Sequence, residues 1–308
     1  MESYKEKNFA SAVVYCYNDA ATIGDFIEQL DKTLSNKFQH YEIIVVNDGS
    51  TDESVNIVRK YAASKDEKII TLLNMSHYQG LEASMNAGVD LSIGDFVFEF
   101  DFAYADFDWE MLANIYQHSL KGYDIVSACI DQKPRFISRL YYAIFNRYAN
   151  LQHEIGIETF RVLSRRAINR IHSITQSIPY RKAAYANCGL SIDTLKYKPI
   201  GKVVRKTHAD RANVAMDSLI LFTDVAYRVT VGLAIIMAIV AAAFAIYALI
   251  YWLMSNPVEG WTTTIIFIAF GFFGLFIILA MVIKYLQTLV ALSFRKKEYL
   301  FESIEKLQ

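Results

Sequence analysis

The chain has 308 residues, a formal net charge of −1 and 54% apolar residues. The length suits about two domains, and the near-neutral charge excludes a global electrostatic pull toward nucleic acid. The apolar share is high for a soluble protein, and its concentration late in the chain explains why.

In chain order, Phe9–Tyr17 is apolar and β-rich and predicts a first strand, and Thr22–Leu34 has helical periodicity. Tyr41 to Ser54 reads YEIIVVNDGSTDES, in which the β-formers Ile43, Ile44, Val45 and Val46 stop abruptly at Asn47-Asp48-Gly49-Ser50. A buried parallel strand delivers polar groups to the carboxyl edge of a sheet in this way, and ligands of open α/β sheets bind at that edge. Gly49 permits a tight turn, and Ser50, Thr51 or Asp52 can cap a helix over Glu53–Ala63. Asp48, at the strand tip, is placed to accept hydrogen bonds from a base or ribose; it reads equally as part of a plain strand–turn–helix junction. A strand over Lys68–Leu73, a helix over Gly80–Leu91 and a strand over Phe96–Phe100 follow, then a strand over Tyr123–Cys129 and helices over Arg139–Asn150 and Ser164–Ile174. This alternation predicts an α/β fold with a doubly wound, mostly parallel sheet.

Between Val229 and Ile283 the only charged residue is Glu259. Val229–Met254 and Trp261–Ile283 are uncharged spans separated by turn formers that include Asn256, Pro257 and Gly260. Each is long enough, at about 1.5 Å per residue, to cross a hydrocarbon core of about 30 Å. Tyr251, Trp252 and Trp261 sit where an interfacial aromatic belt belongs. Arg205, Lys206, Arg211 and Arg228 precede the hairpin, and Lys284, Arg295, Lys296 and Lys297 follow it. The positive-inside rule then places both flanks in the cytoplasm, which predicts a multi-pass protein of the cell inner membrane. The charged first residues give no signal peptide. Cys16, Cys129 and Cys188 have no paired spacing, so they suggest neither a zinc site nor a disulfide framework. The predicted partition is a catalytic-type domain over 1–205, a juxtamembrane interfacial segment over 206–228, the hairpin over 229–283 and a cytoplasmic amphipathic tail over 284–308. That tail can pack on the membrane or on a second subunit of a homo-oligomer, or it can simply extend the second span.

With these residues assembled, the chain resembles family-2 glycosyltransferases of the GT-A fold, and within them the membrane-anchored polyprenyl-phosphate branch typified by dolichyl-phosphate mannose synthase. Tyr15-Cys16-Tyr17-Asn18-Asp19 matches the family's opening Pro-x-Tyr-Asn-Glu, with Tyr15 in place of proline. Asn47-Asp48-Gly49-Ser50-Thr51-Asp52 matches the Asp-Asp-Gly-Ser-x-Asp turn, and Gly80, Asn86-Ala87-Gly88 and Gly94-Asp95 follow in the family's order. The resemblance implies a nucleotide sugar as donor, with Tyr17, Asp19, Asp48 and Asp101 as nucleotide-binding residues. It implies Mg²⁺ or Mn²⁺ on the diphosphate, with Asp101 as the metal anchor. It also implies a lipid-linked acceptor at the membrane, a polyprenyl phosphate in cell-surface glycan assembly, and no nucleic acid partner.

Three further positions, in the catalytic half, depart from the family. Its strand ends in Asp-x-Asp, but here Ala103 replaces the second, metal-binding acid; Asp106 and Asp108 are substitutes if the loop bends back, and helix-capping residues otherwise. Thr159 occupies the acceptor-side Asp slot, beside Glu158, which on a strand points to the other face. The family's phosphate-binding Arg falls near Ile130, which leaves Arg135, Arg139, Arg161, Arg181 and Lys182 as phosphate or acceptor candidates. These losses motivate an alternative reading, a catalytically inactive scaffold or regulatory subunit with the same fold.

Overall fold

The computed structural model describes residues 5–65, 69–132, 136–149, 153–174, 180–200, 219, 223, 225–254, 260–293 and 299–307. They form two compact units, one holding residues 1–146, 151–212 and 294–308, the other residues 147–150 and 213–293.

The first unit is built on an eight-stranded sheet: β1 (Ala10–Cys16), β2 (Tyr41–Asn47), β3 (Ile70–Met75), β4 (Phe96–Phe100), β5 (Ile125–Ile130), β6 (Glu158–Ser164), β7 (Ile192–Tyr197) and β8 (Phe301–Lys306). Their spatial order is β7-β5-β6-β4-β1-β2-β3-β8. The β1–β2, β2–β3, β1–β4 and β5–β7 pairs are parallel; β4–β6, β5–β6 and β3–β8 are antiparallel. The chain winds outward from β1 through β2 to β3, then returns to lay β4 on the opposite side of β1. The boundary between β1 and β4 is therefore the topological switch point, whose carboxyl end opens a ligand crevice in sheets of this kind.

Helices α1 (Ile23–Lys37), α2 (Ser54–Ala62) and α4 (Glu110–Ser119) cover one face, while α3 (Leu81–Leu91), α6 (Arg165–Ile174) and α7 (Arg181–Ala186) cover the other. Helix α5 (Phe136–Tyr148) lies between β5 and β6 in the chain. This two-sided cover explains the unbroken apolar run of β2: Ile43 and Val45 pack into the first core, Ile44 and Val46 into the second. Each such side chain, fully buried, contributes about 1.5–3 kcal/mol before entropy is charged against it. Gly88 lets α3 lie close on the sheet, since a Cβ there would stand 2.5 Å from Val13 Cγ1 and 2.6 Å from Val46 Cγ2.

The second unit is a pair of helices packed on one another, α8 (Val225–Met254) and α9 (Trp261–Ser293). Within them Arg228–Tyr251 and Thr263–Leu286 are long and apolar enough to cross a membrane, and Tyr251 meets Trp261 with ring centroids 5.4 Å apart. Most of the predicted interfacial segment over 206–228 lies outside the described residues; its last four residues are the first turn of α8. The expected amphipathic tail is corrected. Lys284 to Ser293 continue α9, and Phe301–Lys306 returns to the sheet as an antiparallel edge strand on β3. Only Ser303 and Glu305 are half-buried; Phe301, Glu302, Ile304 and Lys306 are exposed, and the charges among them suit an edge that faces water.

Candidate functional site

Three strand tips from the sequence reading meet at the carboxyl edge. Tyr17 follows β1, Asp48 follows β2 and Asp101 follows β4. Asn18 adopts φ 52°, a left-handed conformation that asparagine tolerates. Its side-chain carbonyl accepts the Thr51 amide at 2.8 Å, and its own amide donates to Ser50 Oγ at 3.1 Å, so the first and second tips are tied together. Asp19 is buried, accepts the Tyr17 amide at 3.1 Å and donates its own amide to Ser54 Oγ at 2.8 Å.

Asp48 is fully buried and accepts from the Tyr15 hydroxyl at 2.8 Å, the Gln79 amide at 2.7 Å and the Gly80 amide at 2.9 Å. Burial, with Asp48 beside it, holds the Tyr15 phenol far above its ordinary range, so it serves as a permanent donor. These bonds give Asp48, expected to flank base and ribose, a positioning role in the structure. It fixes the loop that enters α3 at Gly80, whose φ of 87° suits glycine. That loop brings Tyr78 onto Tyr17, with centroids 4.5 Å apart and rings tilted by 47°. Gly49 is required beneath it, since a Cβ there would meet the Tyr78 amide nitrogen at 3.0 Å.

Beside this edge, Glu99 in β4 and Asp101 just past its end lie two residues apart and turn to the same two arginines. Arg161, directly opposite Glu99 in the β4–β6 register, donates to Glu99 at 3.0 Å and to Asp101 Oδ2 at 3.2 Å. Arg181, at the start of α7, donates to Glu99 at 3.0 Å, to Asp101 Oδ1 at 2.7 Å and to Glu82 at 3.0 Å. The Tyr185 hydroxyl donates to the second oxygen of Glu99, and its ring lies 5.3 Å from the Arg161 guanidinium carbon. Glu158 stands 3.3 Å from Arg161 Nε, an ion pair without hydrogen-bond geometry. Burial pushes both Glu99 and Asp101 toward the protonated form. At Asp101 the neighbouring Arg181 and Arg161 overcome it and hold the carboxyl well below its usual range; at Glu99 burial prevails and the value rises.

Arg161 and Arg181 thus lie within the protein, engaged with acids, and the expectation that they present guanidinium groups to phosphate is corrected. Arg135 lies outside the described residues. Ala103 is buried in the same apolar core as Phe100, Phe107 and Phe160. Asp108 accepts the Glu110 amide at 3.0 Å at the start of α4, the capping alternative rather than the metal one. Asp106 is buried and accepts the Tyr197 hydroxyl at 2.6 Å, and that hydroxyl lies 2.7 Å from Thr159 Oγ1. The residues at the expected metal position therefore do not fit a divalent ion: Asp101 has both oxygens committed, and among the described residues no group of three or more His, Cys, Asp or Glu is gathered to hold one.

Sequence reasoning missed Glu82, Glu99, Gln79, Tyr185 and Tyr197. Glu99 was the findable one, a charge inside Phe96-Val97-Phe98-Glu99-Phe100, where a buried strand tolerates an acid only if it is paired.

Comparisons with known proteins bear on the family and the fold. The family described as Glycosyl transferase family 2 matches residues 11–184. An uncharacterised glycosyltransferase of Synechocystis is 23% identical over 271 residues, 84% of each chain. Bactoprenol glucosyl transferase of Shigella phage SfV is 23% identical over 270 residues, 84% of this chain and 87% of the relative. Among solved structures, the mannosyltransferase PcManGT from Pyrobaculum calidifontis, determined with GDP-Man and Mn2+, has a TM-score of 0.50 at 17% identity. The match covers 70% of this chain and 63% of that one, and the likeness is one of fold.

Proposed function

The chain belongs to glycosyl transferase family 2, and from that membership we propose that it moves a hexose from a nucleoside diphosphate sugar to a polyprenyl phosphate at a membrane. The observation that carries the acceptor is the reach of the alignment with the bactoprenol glucosyl transferase. It takes in 84% of this chain, too much to stop before α8, so the likeness extends past the family domain into the apolar hairpin. The donor occupies the carboxyl edge at the β1–β4 switch point, with its base beside Tyr17 and Tyr78 and its ribose beside Asp19.

The reaction is an inverting displacement. An oxygen of the acceptor phosphate attacks the anomeric carbon, the bond from that carbon to the donor diphosphate breaks, and the nucleoside diphosphate leaves with the electron pair. A phosphate acceptor is already anionic, so no carboxylate base is needed, which suits a hydroxyl at Thr159. Both helices span the inner membrane, with the sheet domain cytoplasmic and the chain acting within a homo-oligomer in cell-surface glycan assembly.

The test supplies purified full-length chain with UDP-glucose or GDP-mannose and either a polyprenyl phosphate or the matching polyprenol. Labelled sugar should enter the lipid phase with the phosphate alone. Transfer to the alcohol at an equal rate overturns the acceptor assignment.

A further inference from the structure

Resting on the membrane placement given above, we propose that α5 is a docking helix for an anionic bilayer surface. Its outward stripe of Phe136, Arg139, Leu140 and Arg147 seats at the headgroup boundary and turns the donor edge of the sheet toward the lipid acceptor.

The helix is fixed to the sheet domain by its inner side. Phe145 is fully buried, and its ring lies 5.8 Å from that of Tyr180. Asn146 holds Ile155 through both ends of its side-chain amide, donating to the carbonyl at 3.1 Å and accepting the backbone amide at 3.0 Å. At 3.6 residues per turn, Phe136, Arg139, Leu140, Ala143 and Arg147 fall within an arc of roughly 100°, on the side away from Phe145. All five are exposed. Phe136 is 80% exposed and Leu140 51%, one turn apart on the same stripe.

The arginines decide what covers this stripe. Among the described residues neither Arg139 nor Arg147 is paired with an acid. Large apolar side chains with cations beside them match a surface that is apolar below and negative above, which is the boundary of an anionic leaflet. A guanidinium can stay among the phosphates while its stem lies along the apolar layer.

The topology gives the docking a consequence. Strands β4 and β5 are both antiparallel to β6, so they run in one direction. The chain therefore leaves β5 for α5 at the carboxyl edge of the sheet and re-enters β6 at that same edge. Tyr17, Asp48 and Asp101 meet at this edge as well. With α5 seated on lipid, the donor faces an acceptor phosphate held at headgroup depth.

The experiment reconstitutes full-length chain, with its three native cysteines changed to alanine, into vesicles of phosphatidylglycerol and phosphatidylethanolamine. A nitroxide is placed by Phe136→Cys, or by Ile93→Cys as a control; Ile93 is 71% exposed and precedes β4 at the opposite edge. Collision with oxygen, which concentrates in lipid, is compared with collision with a water-soluble nickel chelate present on both sides of the bilayer. The ratio should favour oxygen at position 136 by about fivefold or more over position 93, as insertion to the acyl boundary predicts. Adding Arg139→Gln and Arg147→Gln should remove most of that difference, and matching melting temperatures check that the variants fold. A label at 136 as wet as the one at 93, or a difference unmoved by loss of both arginines, overturns the inference and leaves the membrane placement standing. A dry label with dipolar broadening between chains means that a second copy covers the stripe, and also overturns it. Chain that does not float with the vesicles overturns the membrane placement and this inference with it.

Discussion

Gln79 grips Leu300 through both ends of its side-chain amide: Nε2 donates to the Leu300 carbonyl, and Oε1 accepts the Leu300 amide at 2.9 Å. A side chain thereby continues the β3–β8 ladder past its last backbone pair. Ser76 adds its own amide to the same carbonyl at 3.1 Å, and the Tyr299 hydroxyl donates to Asp90 on α3. The segment between Met75 and Leu81 is therefore held from two directions, by Asp48 from the strand tips and by residues 299–300 from the far end of the chain.

Gln79→Ala removes two hydrogen bonds from a partly exposed place and should cost about 1–2 kcal/mol of stability. Its larger effect should be on Tyr78, which the loop carries. Nucleotide affinity should fall several-fold while the Gln79 backbone amide still reaches Asp48. Calorimetric titration of the variant checks this, and an unchanged dissociation constant would show that the Leu300 contact does not position the donor edge.

Arg181 joins Glu82, Glu99 and Asp101 in one buried cluster. Arg181→Met leaves acids in the interior short of a counter-charge and should cost about 3–5 kcal/mol. Glu99→Gln should be milder, because burial already pushes the Glu99 carboxyl toward its neutral form. Thermal melts of the two variants in one detergent should rank them so. A Glu99→Gln chain as unstable as Arg181→Met would mean that Glu99 carries its full charge.

Ala103→Asp looks, from sequence, like restoration of a metal ligand. The side chain at this position has no exposure and packs beside Phe107 and Phe160. The added carboxylate should cost several kcal/mol, as polar groups buried without partners do. Mn²⁺ affinity followed by electron paramagnetic resonance should stay at the parent level; a new tight site accompanied by normal stability would count against the placement of Ala103.

Asp31 accepts the Tyr41 and Tyr61 hydroxyls at 2.7 Å each and pairs with Lys65 at 2.7 Å. Burial raises its value, but Lys65 and the two tyrosines outweigh that and leave it below the ordinary carboxylate range. A depressed folded value gives stability that is present above the unfolded value of about 3.9 and is lost as pH falls through the folded one. Acid unfolding of Asp31→Asn should lack that share of the pH dependence below about pH 4. An acid limb identical to the parent's would remove Asp31 from the account.

The strands and helices from β1 to β4 were legible because their signals are local. Ile43–Val46 is a doubly buried run, and Gly80 and Gly49 mark positive φ where a turn demands it. Strand β7 was not predicted, since Ile192–Tyr197 mixes Asp193, Thr194 and Lys196 with apolar residues and depends on β5 for its edge. Strand β8 is six residues of mostly exposed character whose partner lies more than two hundred positions earlier, so nothing local announces it. In the site, the order of tips along the chain located Tyr17, Asp48 and Asp101. The partners of those tips were beyond reach, because Arg161, Arg181 and Gln79 are brought in by sheet register and by loops.

The most direct test of the donor site is a structure of the full chain in detergent with the tighter-binding of UDP or GDP. The account predicts nucleotide density at the carboxyl edge between the tips of β1 and β4, with the base against Tyr17 and Tyr78. A nucleotide bound away from that edge, or a diphosphate held by an ion on Asp101 with Arg181 displaced, would contradict it.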